Sequence, residues 1–327
     1  MSRQSSPSRP GFAPAAWPAT LALSALLTLS LGCSGSAPLA PKAVQMNRLG
    51  VEALEAGDYA TAEARFAVAI EFHPRFVEAQ VNLGLTELAR GNHGRARALF
   101  LRARHLNADL PHPHHGLGAL ADAEHRPREA AAHYREALRV DPGFVPSRAN
   151  LARDYFDAGM LDEAREQFLR LTEVAAHDDR GPAGLAETLL RLGRPAEASE
   201  VVRAARARLG ERPALLLLAA REALAAGFVA EARAELARLA ARRHAHATAA
   251  KAWLAVADLA AGDLEAARAH AEGALAEERH QPVASYALAL ALDAEGDPSA
   301  PAWRAHVGRL TGGRARFPTP APAAKGP

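Results

Sequence analysis

A single cysteine in 327 residues excludes an intrachain disulfide. Aromatic residues are scarce at 5%, although 49% of the chain is hydrophobic, so any core must be built mainly of Ala and Leu at close spacing. Lysine occurs only at Lys42, Lys251 and Lys325, and the formal net charge is +2. No basic stripe with interleaved aromatics is present, so nucleic acid is not an expected partner. No stretch alternates apolar and polar residues over a useful length, so no sheet is expected. Without strands there is no strand-borne phosphate loop, and neither an HExxH pair nor a nucleophile elbow occurs. The chain therefore reads as a non-enzyme with no cofactor.

What the chain does have is a ruler. Gly57, Gly91, Gly159, Gly193, Gly227, Gly262 and Gly296 fall on a step of 34 residues, with His125 in the slot between Gly91 and Gly159 and one step of 35 before Gly262. Such a period marks one supersecondary unit stacked on itself. Five residues after each turn position stands an alanine, from Ala62 and Ala96 through Ala130, Ala164, Ala198 and Ala232 to Ala267. Four residues later comes a larger side chain, Phe66, Phe100, Tyr134, Phe168, Val202 or Leu236, and finally only Ala271. Two antiparallel helices per repeat explain the pattern: glycine ends the first in the left-handed conformation, alanine permits close approach, and the larger residue fills the gap towards the next repeat.

The first copy, from Ala43 to about Phe76, carries Leu49-Gly50, Gly57-Asp58-Tyr59, Ala62, Phe66, Ala69 and Pro74. These residues resemble the tetratricopeptide repeat. Gly84 and Gly118 keep the helix-crossing glycine; Ala152, Ala186 and Ala220 replace it later. The resemblance covers about residues 43–310, with repeats starting near 43, 77, 111, 145, 179, 213, 248 and 282. It implies an all-α, right-handed superhelical solenoid of about eight helix-turn-helix repeats.

It also implies a peptide-binding groove lined by the first helix of each repeat. Mapped onto this sequence, the family's groove positions fall on Asn82, His112, His115, Asn150, Arg153, Arg180, Glu187, Arg191 and Arg221. Asn82 and Asn150 would hydrogen-bond an extended backbone, and the arginines would pair with acidic groups of a protein or peptide partner. The lysine–asparagine clamp of chaperone-tail binders is missing, since Val51, Leu85 and Ala119 stand at one of its positions.

Eight of the fourteen histidines lie between His73 and His133. His112 and His115 would share a helix face, with His114 pointing elsewhere. The principal expectation is no metal site, with histidines solvated in the groove; the alternative is a periplasmic carrier of a small ligand or metal using the His-rich second and third repeats.

The N-terminus tells a separate story. Arg3 and Arg9 precede an uncharged apolar stretch from Ala19 to Leu31, too short to span a bilayer and suited to a secretory signal. It runs into Leu29-Ser30-Leu31-Gly32-Cys33, which resembles a bacterial lipoprotein signal and implies lipidation at Cys33. The organisation expected is a signal peptide over 1–32, a Ser/Pro/Ala tether over 33–42, the repeats over 43–310 and a disordered tail over 311–327. Removing residues 1–32 takes away two arginines and no acid, leaving 39 − 2 = 37 basic against 37 acidic residues. Together these features imply a lipid-anchored envelope protein, outer-membrane by the rule that Ser34 satisfies. It would act as a scaffold or assembly factor for pilus, secretin, gliding or outer-membrane machinery, by analogy with pilotin-type repeat lipoproteins.

Overall fold

A computed structural model describes residues 38–311. The proposed signal peptide, Cys33 and most of the expected tail lie outside the described residues.

Every stretch between the punctuating glycines folds as a helix pair. The first helices of the pairs are α1 (Pro41–Glu55), α3 (Val77–Ala89), α5 (Pro111–Ala123), α7 (Val145–Asp157), α9 (Arg180–Arg191), α11 (Pro213–Ala225), α13 (Ala247–Ala261) and α15 (Pro282–Glu295). Their second helices are α2 (Tyr59–Phe72), α4 (His93–Leu106), α6 (Pro127–Val140), α8 (Leu161–Val174), α10 (Pro195–Leu209), α12 (Val229–Ala240), α14 (Leu264–Glu277) and α16 (Ala300–Thr311). No strand occurs among the described residues. The helices fall into two compact units, one ending at Gly184 and the other beginning at Leu185.

The turns explain the ruler. At each ruled glycine φ is positive, between 73° and 87°. The two amides that follow each first helix bond back in the Schellman pattern: Gly57 N–H donates to Leu54 O and Asp58 N–H to Ala53 O, and Gly296 and Asp297 repeat this on Asp293 and Leu292. His125 adopts the same turn with φ 56°, the sole non-glycine among the described residues with positive φ. A Cβ in that region costs about 1 kcal/mol. His125→Gly is therefore expected to raise stability by about 0.5–1 kcal/mol, read as a later denaturant midpoint.

In the first unit the core is one ring per repeat, set against glycine. The alanines at 62, 96, 130 and 164 are fully buried, and so are Phe66, Phe100 and Tyr134. A Cβ added at Gly50 would stand 2.6 Å from the Phe66 ring, and one at Gly118 2.5 Å from Tyr134. Phe100 is held on both sides, since a Cβ would stand 2.4 Å from its ring at Gly84 and 2.5 Å at Gly116 of the next repeat. Where Ala152 replaces the crossing glycine, the Phe168 ring packs on Gly184 instead, at 2.2 Å from the hypothetical Cβ.

In the second unit the larger residue shrinks to Val202, Leu236 and Ala271, all buried. The crossing residues grow to Ala186 and Ala220. Volume is roughly conserved where glycine-plus-ring becomes alanine-plus-leucine at Ala220 and Leu236. The main apolar cluster here runs from Leu216 to Trp253 and Leu288, with Trp303 packed against it.

Candidate functional site

The candidate site is built on the first helices, each unit considered by itself. In the first unit, Asn82 on α3 donates from Nδ2 to Asn47 Oδ1 on α1 at 3.0 Å. Two amides, 35 residues apart in sequence, thus join consecutive first helices.

The richer constellation lies between α5 and α7. Tyr134 occupies the ring slot held elsewhere by Phe66, Phe100 and Phe168. Its hydroxyl donates to Asp122 Oδ2 at 2.6 Å and accepts from Asn150 Nδ2 at 3.0 Å. Burial, then the neighbouring Asp122, raises the Tyr134 phenol well above its ordinary value, so it stays protonated.

Asp154 faces Asp122 across the same gap, with its Oδ2 buried and otherwise unpartnered. Burial, followed by the charge of Asp122, pushes Asp154 up to about 8, and burial raises Asp122 too, against the Tyr134 hydrogen bond. Two carboxyls this close do not both ionise at neutral pH; the pair holds one proton. Arg153 Nη2 stands 3.8 Å from Asp122 Oδ2 and from Asp154 Oδ1, spanning the pair without closing on it.

The histidines behave differently from expectation. His115 is 9% exposed, with Nδ1 at 3.2 Å from Ser147 Oγ and its ring 5.7 Å from those of Tyr134 and Phe144. Burial, helped by the nearby His112 and Arg153, pushes it down to about 3. His112 shares its helix face, as the spacing requires, but packs edge-on to Phe144 at 5.1 Å, and both its ring nitrogens are buried without a hydrogen-bond partner. Burial lowers its pKa against the pull of Glu78 and Asp141. These are neutral packing groups in the joint between repeats, not solvated groove residues. The physical reason is Phe144, the last residue of the same repeat and the N-cap of α7, whose ring packs against both. No three of His, Cys, Asp and Glu converge as metal ligands among the described residues.

Arg180 and Arg221, expected to await an acidic partner, are already engaged. In the first unit Arg180 grips Asp178 through Nε at 2.8 Å. In the second unit Arg221 meets Glu187 through Nη1 at 2.5 Å and lies over the Trp253 ring at 4.6 Å from its centroid. Arg191 ends α9. Asp258, buried on α13, accepts from Arg233 Nε at 2.7 Å and lies 2.7 Å from His270 Nδ1.

Sequence reasoning missed Asn47, Asp122, Tyr134 and Asp154. Asn47 and Asp122 stand at groove positions five and twelve of their repeats and were within reach of it. The partnership of Tyr134 was not, because its one signal is a hydroxyl where the other early repeats carry Phe.

Comparison with known proteins agrees with this architecture. Family models described as tetratricopeptide repeat match residues 47–111, 123–187, and 183–204 with 248–272. No curated protein matches the chain. Among solved structures, the APC/C hetero-tetramer Cut9–Hcn1 is 15% identical, with 78% of this chain and 49% of that chain covered and a TM-score of 0.61. This chain thus spans about half the length of that one. Pseudomonas aeruginosa pilF is 18% identical, covering 62% of this chain and 92% of that one, with a TM-score of 0.52. PilW, described as a widely conserved type IV pilus biogenesis factor, is 21% identical over 62% and 94%, with a TM-score of 0.51. At these identities the likeness is one of fold. The matched repeats, the left-handed turn in every pair and the ring-on-glycine packing lead to one conclusion: the chain belongs to the tetratricopeptide repeat family.

Proposed function

We propose that this protein is a protein-interaction scaffold tethered to the bacterial envelope through lipid on Cys33, with a peptide or partner helix captured along the first helices. The observation that carries the reading is the joint between α5 and α7. There Asp122, Tyr134, Asn150 and Asp154 gather from three helices of two repeats into one polar patch beside the exposed Arg153. Its groups bond one another and hold the surface rigid, and the half-buried Asn150 and the exposed Arg153 form the edge that an extended peptide or a helix would meet. Because Arg180, Glu187 and Arg221 are already paired, they set the shape of the surface rather than offering free charge.

The anchor rests on Cys33 after the apolar stretch 19–31. Among the described residues no helix is long and apolar enough to cross a membrane. Sorting to the outer membrane, facing the periplasm, follows from Ser34. The client would be an envelope assembly of the pilus, secretin, gliding or outer-membrane kind.

In-cell crosslinking and pull-down of the tagged chain beside a Cys33→Ala form tests this directly. Recovery of an envelope complex by the first, weakened at least several-fold in the second, is the expected result. Equal recovery by both would remove the tether from the mechanism, and recovery by neither would remove the scaffold.

A further inference from the structure

Arg148 on α7 is only 6% exposed, yet every contact it makes is to a neutral acceptor. Nη1 donates to Gln167 Oε1 at 2.9 Å, Nη2 to the Pro142 carbonyl, and Nε is buried with no partner. No carboxylate pairs with it among the described residues. A guanidinium remains charged at any accessible pH, and a buried charge without a counter-ion is costly. Its Nε–H is left without an acceptor, and its nearest carboxylates act on it only from a distance.

The place for it is present. Arg148 lines a crevice of about 340 Å³ between α6 and α8, floored by α7. Arg135 and Arg139 face it from α6 and Arg170 from α8, with Glu166 the single acidic residue in the lining. Arg135 donates from Nε to the Ala131 carbonyl of its own helix, and no carboxylate pairs with it among the described residues. Arg139 and Arg170 pair with Glu136 and Glu166 of their own helices, but these pairs are exposed. Exposed pairs of this kind contribute only about 0.2–1 kcal/mol and exchange readily for a better oxyanion. Leu138, Leu151 and Tyr155 add an apolar side to the crevice. On α7 the residues 148, 151 and 155 lie on roughly the opposite side from Asn150 and Arg153, so this crevice is distinct from the patch described above.

We propose that the crevice between α6 and α8 binds a phosphate-type oxyanion, free or as the head of an amphiphile. The oxyanion sits against Arg148, with Arg135 and Arg170 closing on it from either side. Planar guanidinium forks match such oxygens bidentately, and the charge left over in the lining suits a dianion. Burial, and next Arg170, lowers Arg148 from its ordinary value against the opposing pull of Glu166, Glu173 and Asp141, none of which pairs with it directly.

The test uses the full chain carrying Cys33→Ser, so that no acyl group contributes. Sodium phosphate is titrated calorimetrically and by thermal melts, against sodium chloride at equal ionic strength. Millimolar binding is expected, with Tm rising by about 2–4 °C at ten times Kd and no rise in chloride. An Arg135→Gln/Arg170→Gln double variant, which touches only side chains at the surface of the crevice, should keep the fold by circular dichroism and lose the rise. Arg148→Gln should lose it too. A second arm sediments the protein with phosphatidylglycerol vesicles and with phosphatidylcholine vesicles. Binding to the former alone, lost in the double variant, with no effect of free phosphate, would assign the phosphate to a lipid. The proposal is overturned if neither phosphate nor vesicles bind, or if the double variant binds as well as the parent.

Discussion

Phe100→Ala is expected to destabilise the protein by about 3–5 kcal/mol, the range for deleting a buried ring where the surroundings cannot collapse. The reason is local. Phe100 is fully buried and touches backbone on both sides, Gly84 of its own repeat and Gly116 of the next. Its neighbours Ala96 and Ala103 are already methyl-sized, and filling the space would require leucines such as Leu85 and Leu117 to leave their own packing. Each repeat depends on its neighbours alone, and a hole at one ring weakens two helix contacts at once. Urea denaturation followed by circular dichroism would show the loss; a shift under 1 kcal/mol would mean that the glycines close over the gap. The second unit suggests a rescue. There Leu236 is fully buried with Ala220 as its repeat's crossing residue. Phe100→Leu combined with Gly84→Ala should therefore be more stable than the sum of the two single losses predicts, a positive coupling between touching sites.

That pairing also shows how much the sequence alone could carry. The helix pairs, their turns and the buried alanine and ring slots were legible because each recurs every 34 residues, and even the repeat without a turn glycine keeps its turn through His125. What a partner helix does to an exposed-looking face was not legible. The spacing of His112 and His115 placed them correctly on one face, but the Phe144 ring that covers that face comes from the far end of the repeat, at the N-cap of α7. Arg221 and Glu187 stand one whole period apart, and their contact follows from stacking that only the structure displays. Arg148 carried no signal at all, since an arginine in the first turn of a helix reads as solvated until its burial is seen.

The polar joint should write itself into the pH dependence of stability. Folded Asp154 keeps its proton up to about pH 8, whereas its ordinary value is 3.8. From about pH 4 to 8 the folded chain therefore binds the extra proton, and the stability this group contributes falls with rising pH by about 1.4 kcal/mol per unit. His115 runs the other way. Its folded value is about 3 against an ordinary 6.5, so in that interval the unfolded chain binds the extra proton and stability rises with pH at the same slope. The two slopes cancel between about pH 4 and 6.5, and above that only Asp154 still titrates, which leaves a decline of about 2 kcal/mol by pH 8. The raised Asp122 and lowered His112 act in the same senses as their respective neighbours. In Asp154→Asn the acid's slope is gone. Its urea midpoint should climb from pH 4 to 6.5 and then stay level, making the variant the more stable form at pH 8. The wild type should hold level over the first interval and fall over the second. Parallel curves for the two proteins would show that the shared proton does not reside on this pair, and with it would go the reading of Asp122 and Asp154 as one coupled group at the centre of the patch.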